Sequence, residues 1–285
     1  NPPADNTPFQ LWRTIADRLV ENRYQQLPTI EMLDDADDVT SEVRHHVTRL
    51  LRHDPSSDAP VTVVIAANSA AEWGGGLHGC AGTIQNNTIR GNSAPAGGGV
   101  AYCDETIRNN AIIGNSAEIG AGLSECHGMI QNNLITGNSA ACAGGALHFC
   151  DGTIQNNIIS GNSAGIGGGL EGCHGTIENN VISSNSALLE AGGGGGLAFC
   201  DGPIRNNVIA GNRASDVGGG LAWCSGSIEN NTIIANCAAG YLGYGGGLAY
   251  CEGTTRNCVI WGNRASGLGS QPYSFTQRYS KHAYF

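Results

Sequence analysis

The chain has 285 residues, of which 44 are glycine, and a formal net charge of -10 at pH 7. Its hydrophobic fraction of 40% is too high for a disordered chain, and its glycines lack the three-residue period of collagen. The acidic balance argues against a nucleic-acid partner, and the chain has no run of about 20 apolar residues that would predict a membrane-spanning helix.

Residues 1–59 are predicted to form an α-helical N-terminal cap segment. Apolar residues recur at helical spacing over residues 9–24, and a second helix is predicted over 41–53 with Thr40 or Ser41 as its N-cap. An open coil of strands exposes its core and strand edges at each end. We therefore interpret this segment as a cap rather than as an independent catalytic domain.

Residues 60–266 repeat with a period of 23 to 27 residues. Residues 194–214 read GGGLAFCDGPIRNNVIAGNRA, and residues 218–238 read GGGLAWCSGSIENNTIIANCA. This period is too short for two packed helices, and the short apolar strips between Gly, Asn and Ser favour strands joined by turns. The repeat predicts an all-β solenoid, a right-handed parallel β-helix of about eight rungs.

Each position of the repeat becomes a column along the coil, and the apolar columns predict the core. One column is Leu77, Val100, Leu123, Leu147, Leu170, Leu197, Leu221 and Leu248. A second is Ile84, Ile107, Ile130, Ile154, Ile177, Ile204 and Ile228. A third is Ile89, Ile112, Ile135, Ile159, Ile182, Ile209, Ile233 and either Val259 or Ile260.

Two asparagine columns and one cysteine column accompany them. We expect the asparagines to stack at turns and bond to turn backbone. The cysteine column is Cys80, Cys103, Cys126, Cys150, Cys173, Cys200, Cys224 and Cys251. One thiol per rung does not make a tetrahedral metal site, whereas disulfides between neighbouring rungs are compatible with the spacing. We favour a buried ladder of free thiols.

The pattern GGGL-x-x-C-x-GTI-x-NN-x-I-x-GNSA resembles the right-handed parallel β-helix repeat proteins, pectate-lyase-like in fold, of planctomycete-type secreted and surface proteins. The resemblance covers about 70% of the chain, from Gly74 to about Ser274. It implies a secreted or cell-surface location, and its motif is specific for fold but weak for function. Enzymes on this fold use Asp clusters with Arg or Lys, often with calcium. This coil has no Lys and few Arg.

The column after the cysteines contains alternating acidic and histidine residues, which would place each histidine between two carboxylates. Such an arrangement suits acid–base chemistry, but we favour a repeating surface ladder that avoids stacking like charges. The candidate catalytic residues are Asp104, His127, Asp151, His174 and Asp201.

The column before the cysteines contains aromatic residues, which could stack on sugar rings if they are exposed. The candidate carbohydrate-binding residues are Tyr102, Phe149, Phe199, Trp223 and Tyr250. Two enlarged turns, at 188–192 and 239–244, follow the second asparagine column and could wall a groove.

Residues 267–285 lose the repeat and are predicted to form a C-terminal tail or cap. Because the repeat shows no irregular polar cluster, the sequence favours a non-catalytic extracellular or cell-surface scaffold that binds polysaccharide or copies of itself. A polysaccharide lyase or glycoside hydrolase is the first alternative, and a filament-forming subunit is the second. The sequence predicts no metal site and no cofactor.

Overall fold

A computed structural model describes residues 29–31, 62–189, 192–241 and 243–267. These residues form a coil of parallel strands without any helix, which confirms the predicted all-β solenoid of about eight rungs. The predicted helices at 9–24 and 41–53, and the predicted tail after Gly267, lie outside the described residues.

Each rung contributes one short strand to each of four parallel sheets, which we name after a characteristic residue. The Leu sheet contains Leu77–His78, Val100–Ala101, Leu123–Ser124, Leu147–His148, Leu170–Glu171, Leu197–Ala198, Leu221–Ala222 and Leu248–Ala249. The first Ile sheet contains Ile84–Gln85, Ile107–Arg108, Ile130–Gln131, Ile154–Gln155, Ile177–Glu178, Ile204–Arg205, Ile228–Glu229 and Thr255–Arg256.

The other two sheets complete the rung. The second Ile sheet contains Thr29–Glu31, Thr62–Ala66, Thr88–Arg90, Ala111–Ile113, Leu134–Thr136, Ile158–Ser160, Val181–Ser183, Val208–Ala210, Thr232–Ile234 and Val259–Trp261. The Ser sheet contains Ser93–Ala96, Ser116–Ile119, Ser139–Ala143, Ser163–Ala164, Ser186–Ala187, Arg213–Ala214, Cys237–Ala238 and Arg264–Ala265.

The register places equivalent residues of successive rungs directly over one another, as in the pairs Leu123 with Leu147 and Ile130 with Ile154. The predicted Leu and Ile columns are buried and form one continuous core. In the last rung Ile260 packs against this core, whereas Val259 points outward and is 54% exposed. The three predicted apolar columns are therefore confirmed.

The second Ile sheet continues beyond the first full rung. Thr62–Ala66 pairs with Thr88–Arg90, so the partial repeat that precedes Gly74 belongs to the coil. Thr29–Glu31 then pairs with Thr62–Ala66, with Ile30 opposite Val63. This strand lies in the predicted cap segment, and the repeat did not indicate it because its sequence lacks the turn residues of a rung.

Glycine is required where each rung bends into the Leu sheet. Gly167 has a φ of +61°, and a Cβ there would lie 2.5 Å from the Leu170 carbonyl oxygen. At Gly168 a Cβ would lie 2.5 Å from the backbone of Ser186 on the neighbouring rung. The positive φ therefore favours glycine at the first position of every rung, and the close approach of the next rung leaves no room for a side chain at Gly168, although Ala121 carries a buried methyl group at the equivalent position.

Buried asparagines satisfy the backbone at two of the turns. Asn138 Nδ2 donates to Ile112 O and Asn162 Oδ1, each at 3.0 Å, and Asn138 Oδ1 accepts from Asn115 N at 2.9 Å. The same pattern recurs along both ladders, where the amides are at most 3% exposed. The predicted role of asparagine is confirmed, because these bonds pair groups that the sheets leave open.

The two asparagines of each NN pair have different roles. The first, for example Asn132, adopts a left-handed conformation with a φ of +56° and is exposed. The second, for example Asn133, is buried in the ladder and donates to Ile107 O at 2.9 Å. Asparagine tolerates the left-handed region better than most residues, which explains its presence at the first position.

The cysteine column is a ladder of free, buried thiols, as the sequence favoured. Each of these thiols lies near the carbonyl two residues earlier, as Cys126 Sγ does at 3.4 Å from Ser124 O. Burial raises the pKa of the Cys126, Cys150 and Cys173 thiols, which disfavours the reactive thiolate. Off the column, Cys258 ends one asparagine ladder and accepts from Asn231 N at 3.4 Å.

We expect Asn138→Ala to lower the free energy of unfolding by about 3 kcal/mol, because Asn115 N–H and Ile112 C=O would remain buried without partners. Urea unfolding followed by circular dichroism measures this change. Asn132→Gly is the matched control and should change stability by less than about 1 kcal/mol, since Gly accepts its positive φ. Equal effects of the two substitutions would contradict the assigned role of the ladder.

The burial of the cysteines predicts a graded thiol reactivity. In the native protein Cys142, which is exposed, should react first with a thiol reagent, whereas the eight column thiols should react only after unfolding. Counting modified thiols by mass spectrometry, in the native protein and in Cys142→Ser, checks this. Rapid native modification of Cys126 or Cys150 would show that the column is accessible.

Candidate functional site

The outer face of the Leu sheet carries one side chain per rung. This outward column is His78, Ala101, Ser124, His148, Glu171, Ala198, Ala222 and Ala249. Alanine occupies four of the eight rungs, whereas three consecutive rungs in the middle carry a hydroxyl, an imidazole and a carboxyl group. Apart from His78 on the first rung, the regularity of this column is therefore interrupted at one place.

Ser124, His148 and Glu171 form a polar row across these three rungs. Ser124 Oγ lies 3.4 Å from His148 Nδ1, and His148 Nε2 lies 3.3 Å from Glu171 Oε2. Ser124 is fully buried and His148 is 7% exposed. The ring of Phe149, 4.3 Å from the His148 ring between centroids, packs against the row.

Burial shifts the pKa of both ionisable members of the row toward the neutral forms. It lowers the pKa of His148 from 6.5 to about 4. Burial also raises the pKa of Glu171, and the nearby His174 lowers that pKa to a smaller extent. Glu171 Oε2 is buried and makes no well-aligned hydrogen bond despite its short distance to His148. A buried oxygen without a hydrogen bond, in a row with two shifted pKa values, is typical of functional sites.

The row has the residue types of a nucleophilic triad but not its geometry. A nucleophilic serine must reach the substrate, and Ser124 is fully buried. Ser124 instead holds the His148 ring on one side while Glu171 lies against its other nitrogen. The carboxyl group of Glu171, whose side chain is 14% exposed, is the member that a ligand would reach first.

The column of candidate catalytic residues lies exposed beside this row. His127 Nε2 is 3.5 Å from Glu125 Oε2, and His127 Nδ1 is 3.7 Å from Asp151 Oδ2. His174 Nδ1 is likewise 3.6 Å from Asp201 Oδ2. The alternation suggested that each histidine would lie between two carboxylates of the column, whereas the ion pairs within the column join each ring to the Asp of the following rung.

The acidic members of this column also bond to the next rung. Asp104 Oδ1 accepts from His127 N at 3.0 Å, and Asp151 Oδ1 accepts from His174 N at 2.8 Å. Each of these two Asp side chains thus accepts a hydrogen bond from the backbone N–H of the histidine on the next rung. These carboxylates stabilise the bend in addition to any role toward a ligand.

The aromatic column occupies the bend that ends each Leu-sheet strand. Its residues have positive φ values, such as +52° at Phe199 and +53° at Trp223. The rings of Phe199 and Trp223 stack with centroids 4.8 Å apart and planes 7° apart, and Tyr250 follows at 6.3 Å and 6°. Ring faces therefore cover one another along the coil, and ring edges meet solvent.

These rings also cover the sheet beneath them. Trp223 and Tyr250 pack against Val217, Ala222 and Ala249, which are at most 8% exposed. Tyr244, at the end of the second enlarged turn, pairs with Val217, so that turn adjoins the aromatic layer. Elsewhere in the enlarged turns, Leu188 is 63% exposed and Tyr241 is 96% exposed.

Phe149 links the buried row to the exposed columns. Its ring contacts His148 and lies 6.3 Å from the His174 ring. It also fills the space above Gly172, where a Cβ would lie within 2.5 Å of the ring. The structure thus brings the candidate residues His127, Asp151, His174 and Phe149 together on the rungs of the row. The adjoining rung on each side carries candidates as well, namely Tyr102 with Asp104 and Phe199 with Asp201, whereas Trp223 and Tyr250 lie further along the coil.

Charge is segregated around the coil. Every histidine that the structure describes lies in the strip formed by the Leu sheet and the bend after it. The six arginines in the described ranges lie on the other three sheets, and are Arg90, Arg108, Arg205, Arg213, Arg256 and Arg264. Two of them pair with carboxylates there, Arg205 with Glu178 and Arg256 with Glu229. The strip therefore has carboxylates without arginine or lysine partners.

The buried row corrects one expectation from the sequence, which was that no irregular polar cluster interrupts the repeat. The outward Leu-sheet column, with its run of Ser, His and Glu among alanines, was the available signal. It did not indicate burial, because the sequence left open whether the neighbouring aromatic rings point to solvent or pack on the sheet. Within the described ranges, no group of three or more His, Cys, Asp or Glu could hold a metal ion.

A family model described as a right-handed β-helix region matches residues 76–237, more than half of the chain. The chain belongs to this β-helix family. No curated protein and no solved structure matches the chain. Among the described residues of this β-helix protein, no helix has the length and apolar character needed to cross a membrane. Membership of the family establishes the fold but not the function, which depends on the residues of the strip.

Burial of neutral His148 makes stability depend on pH. Because its pKa is lower in the folded chain than in the unfolded chain, stability is lost as pH falls from about 6.5 toward about 4. The shift corresponds to at most ~3 kcal/mol, and ~2 kcal/mol after allowance for partial solvent access. Glu171 acts with the opposite sign, since its raised pKa favours the folded chain once it is protonated.

We expect His148→Gln to lose less stability than the unaltered protein between about pH 7 and about pH 4.5. Urea unfolding at the two pH values measures the difference. His127→Gln removes an exposed histidine and should keep the steeper dependence. A pH dependence that is the same with and without His148 would rule out its assignment as the acid-sensitive group.

Proposed function

We propose that this β-helix protein is a non-catalytic, secreted or cell-surface scaffold that binds an extended polysaccharide along the strip. The observation that carries the proposal is a pair of adjacent rows. Aromatic edges at Phe199, Trp223 and Tyr250 run beside the polar residues Asp201, Ser225 and Glu252, one of each per rung. A polysaccharide presents apolar C–H groups beside hydroxyl groups. The C–H groups can contact the aromatic edges, and the hydroxyl groups can form hydrogen bonds with the polar residues.

Geometry supports a chain-like ligand rather than a compact one. The two rows run parallel to the coil axis and repeat at the strand spacing of about 4.8 Å. A polymer lying along the coil would meet the same pair of groups at each rung. Because stacked faces cover one another, the ligand contacts ring edges, and we expect modest affinity per rung that accumulates along the strip.

A glycoside hydrolase or lyase is the second candidate, and the Ser124–His148–Glu171 row favours it. A general acid needs a raised pKa, and burial raises that of Glu171. The row also lies between the aromatic residues Tyr102 and Phe199, where a bound chain would pass. Glu171→Gln is the variant that separates catalysis from binding, since it keeps the shape of the side chain.

The proposal predicts binding without turnover when the protein is tested against a panel of neutral and acidic polysaccharides. Trp223→Gly should weaken binding of a positive polysaccharide at least ~10-fold, the loss expected for about 1.4 kcal/mol of ring contact. Glycine suits this position because Gly79 and Gly172 occupy the same column with φ values of +60° and +62°. Isothermal titration calorimetry and reducing-sugar release measure binding and turnover.

Glu229→Gln, on the first Ile sheet, is the matched surface control and should bind as the unaltered protein does. Failure of every polysaccharide to bind would contradict the proposal. Product release that Glu171→Gln abolishes would establish the hydrolase or lyase instead.

A further inference from the structure

The outer face of the second Ile sheet differs from every other described face of the coil. The middle residue of each three-residue strand points inward, and the first and third point outward. Leu134, Ile158, Val181 and Val208 occupy the first position on four successive rungs and are 39% to 49% exposed. They form a continuous aliphatic column on the surface of the protein.

The whole of this face is uncharged from Ala111 to Trp261. Its third positions in these seven strands are Ile113, Thr136, Ser160, Ser183, Ala210, Ile234 and Trp261. The outward residues of the first Ile sheet, in contrast, include Arg108, Glu178 and Arg205. Those of the Leu sheet, apart from the exposed His78, are largely covered by aromatic rings or by one another. We call residues 111–261 at these outward positions the aliphatic face.

We propose that the aliphatic face packs against the same face of a second copy of the chain to form a two-fold symmetric dimer. Two charged surfaces of this chain repel, because its formal net charge is -10. The aliphatic face lets two copies meet without burying a charge. A self-complementary interface of this kind closes as a dimer.

Shape also favours a second copy. Two parallel sheets with the same strand spacing, about 4.8 Å, can interdigitate their side chains rung by rung at a separation of about 10 Å. With the two-fold axis parallel to the coil, the column of Ile158, Val181 and Val208 would lie opposite the same column of the other copy, rung for rung. A partner without this repeat would match the face over one or two rungs alone.

The area of the aliphatic face indicates how strongly two copies should associate. Seven strands at about 4.8 Å spacing and about 10 Å length give a flat patch of roughly 350 Å². This lies within the range of the largest functional patches on monomers, but it is below the ~800 Å² per partner of a standard stable interface. We therefore expect a reversible dimer that forms with rising concentration. This inference is independent of polysaccharide binding, because it uses a different sheet.

Sedimentation velocity across a concentration series tests the proposal. The average mass of the full chain should rise from 29.3 kDa toward twice that value. Ile158→Lys should weaken association at least ~10-fold, because each dimer would then place two like charges in an apolar interface. Gln155→Lys is the matched control, since it adds the same charge to the same rung on the first Ile sheet. It should associate as the unaltered protein does.

A charge-complementary pair distinguishes a second copy from any other occupant. Ile158→Lys and Ile158→Glu should each be monomeric, whereas their equimolar mixture should recover the dimer mass. Circular dichroism checks that both variants remain folded, which their exposed position favours. A protein that stays at 29.3 kDa at all concentrations, a Lys variant that associates normally, or a mixture that remains monomeric would each overturn the proposal.

Discussion

The hydrogen bond from a buried asparagine amide to the neighbouring rung is the interaction on which this coil depends. Short strands of two or three residues leave much of each rung's backbone in turns, where sheet pairing is interrupted. In both ladders an amide such as that of Asn115 donates to the carbonyl of Ile89 and to Asn138, and accepts from Asn92. Each rung thereby provides hydrogen-bond partners for the turn backbone and the asparagine amide of its neighbouring rungs. The ladder also fixes the register, because a slip by one residue would separate each buried amide from the amide on the neighbouring rung to which it bonds.

This dependence explains why the variation of the chain is confined to particular columns. Inward positions repeat Leu, Ile, Cys and Asn because every rung must fit the same cross-section. Outward positions are free of that constraint, and there the four sheets differ. The Leu sheet carries the buried polar row, the first Ile sheet carries Arg–Glu pairs, and the second Ile sheet carries exposed aliphatic residues. The chemistry of the surface is therefore determined by the outward residues, whereas the inward residues keep nearly the same pattern on every rung.

The same distinction separates what could be predicted from sequence and what could not. Inward columns such as Leu123 and Ile130 were predictable, because repetition of an apolar residue at one position has one physical explanation, a shared core. Ser124 and His148 were not, since their burial depends on how the Phe149 ring and its neighbours fold across the sheet. Phe149 has a positive φ of 46°, a conformation that no local sequence rule predicts for an aromatic residue. The aliphatic column at Ile158 was missed because it adjoins the inward Ile159 in an apolar run.

The order of the strands within a rung gives the two proposed surfaces a physical relation. The chain passes from the Leu sheet to the first Ile sheet, then to the second Ile sheet and the Ser sheet before it returns. The Leu sheet and the second Ile sheet are therefore never adjacent in a rung. A dimer through the aliphatic face leaves the strip of each copy uncovered, so the assembly would present two parallel binding rows. Weak contacts at single rungs would then act together on one extended polymer or join two polymers, since linked sites raise the effective concentration of the second contact. A rigid coil with modest affinity per rung gains most from such an arrangement, because its rows are already aligned before the ligand arrives.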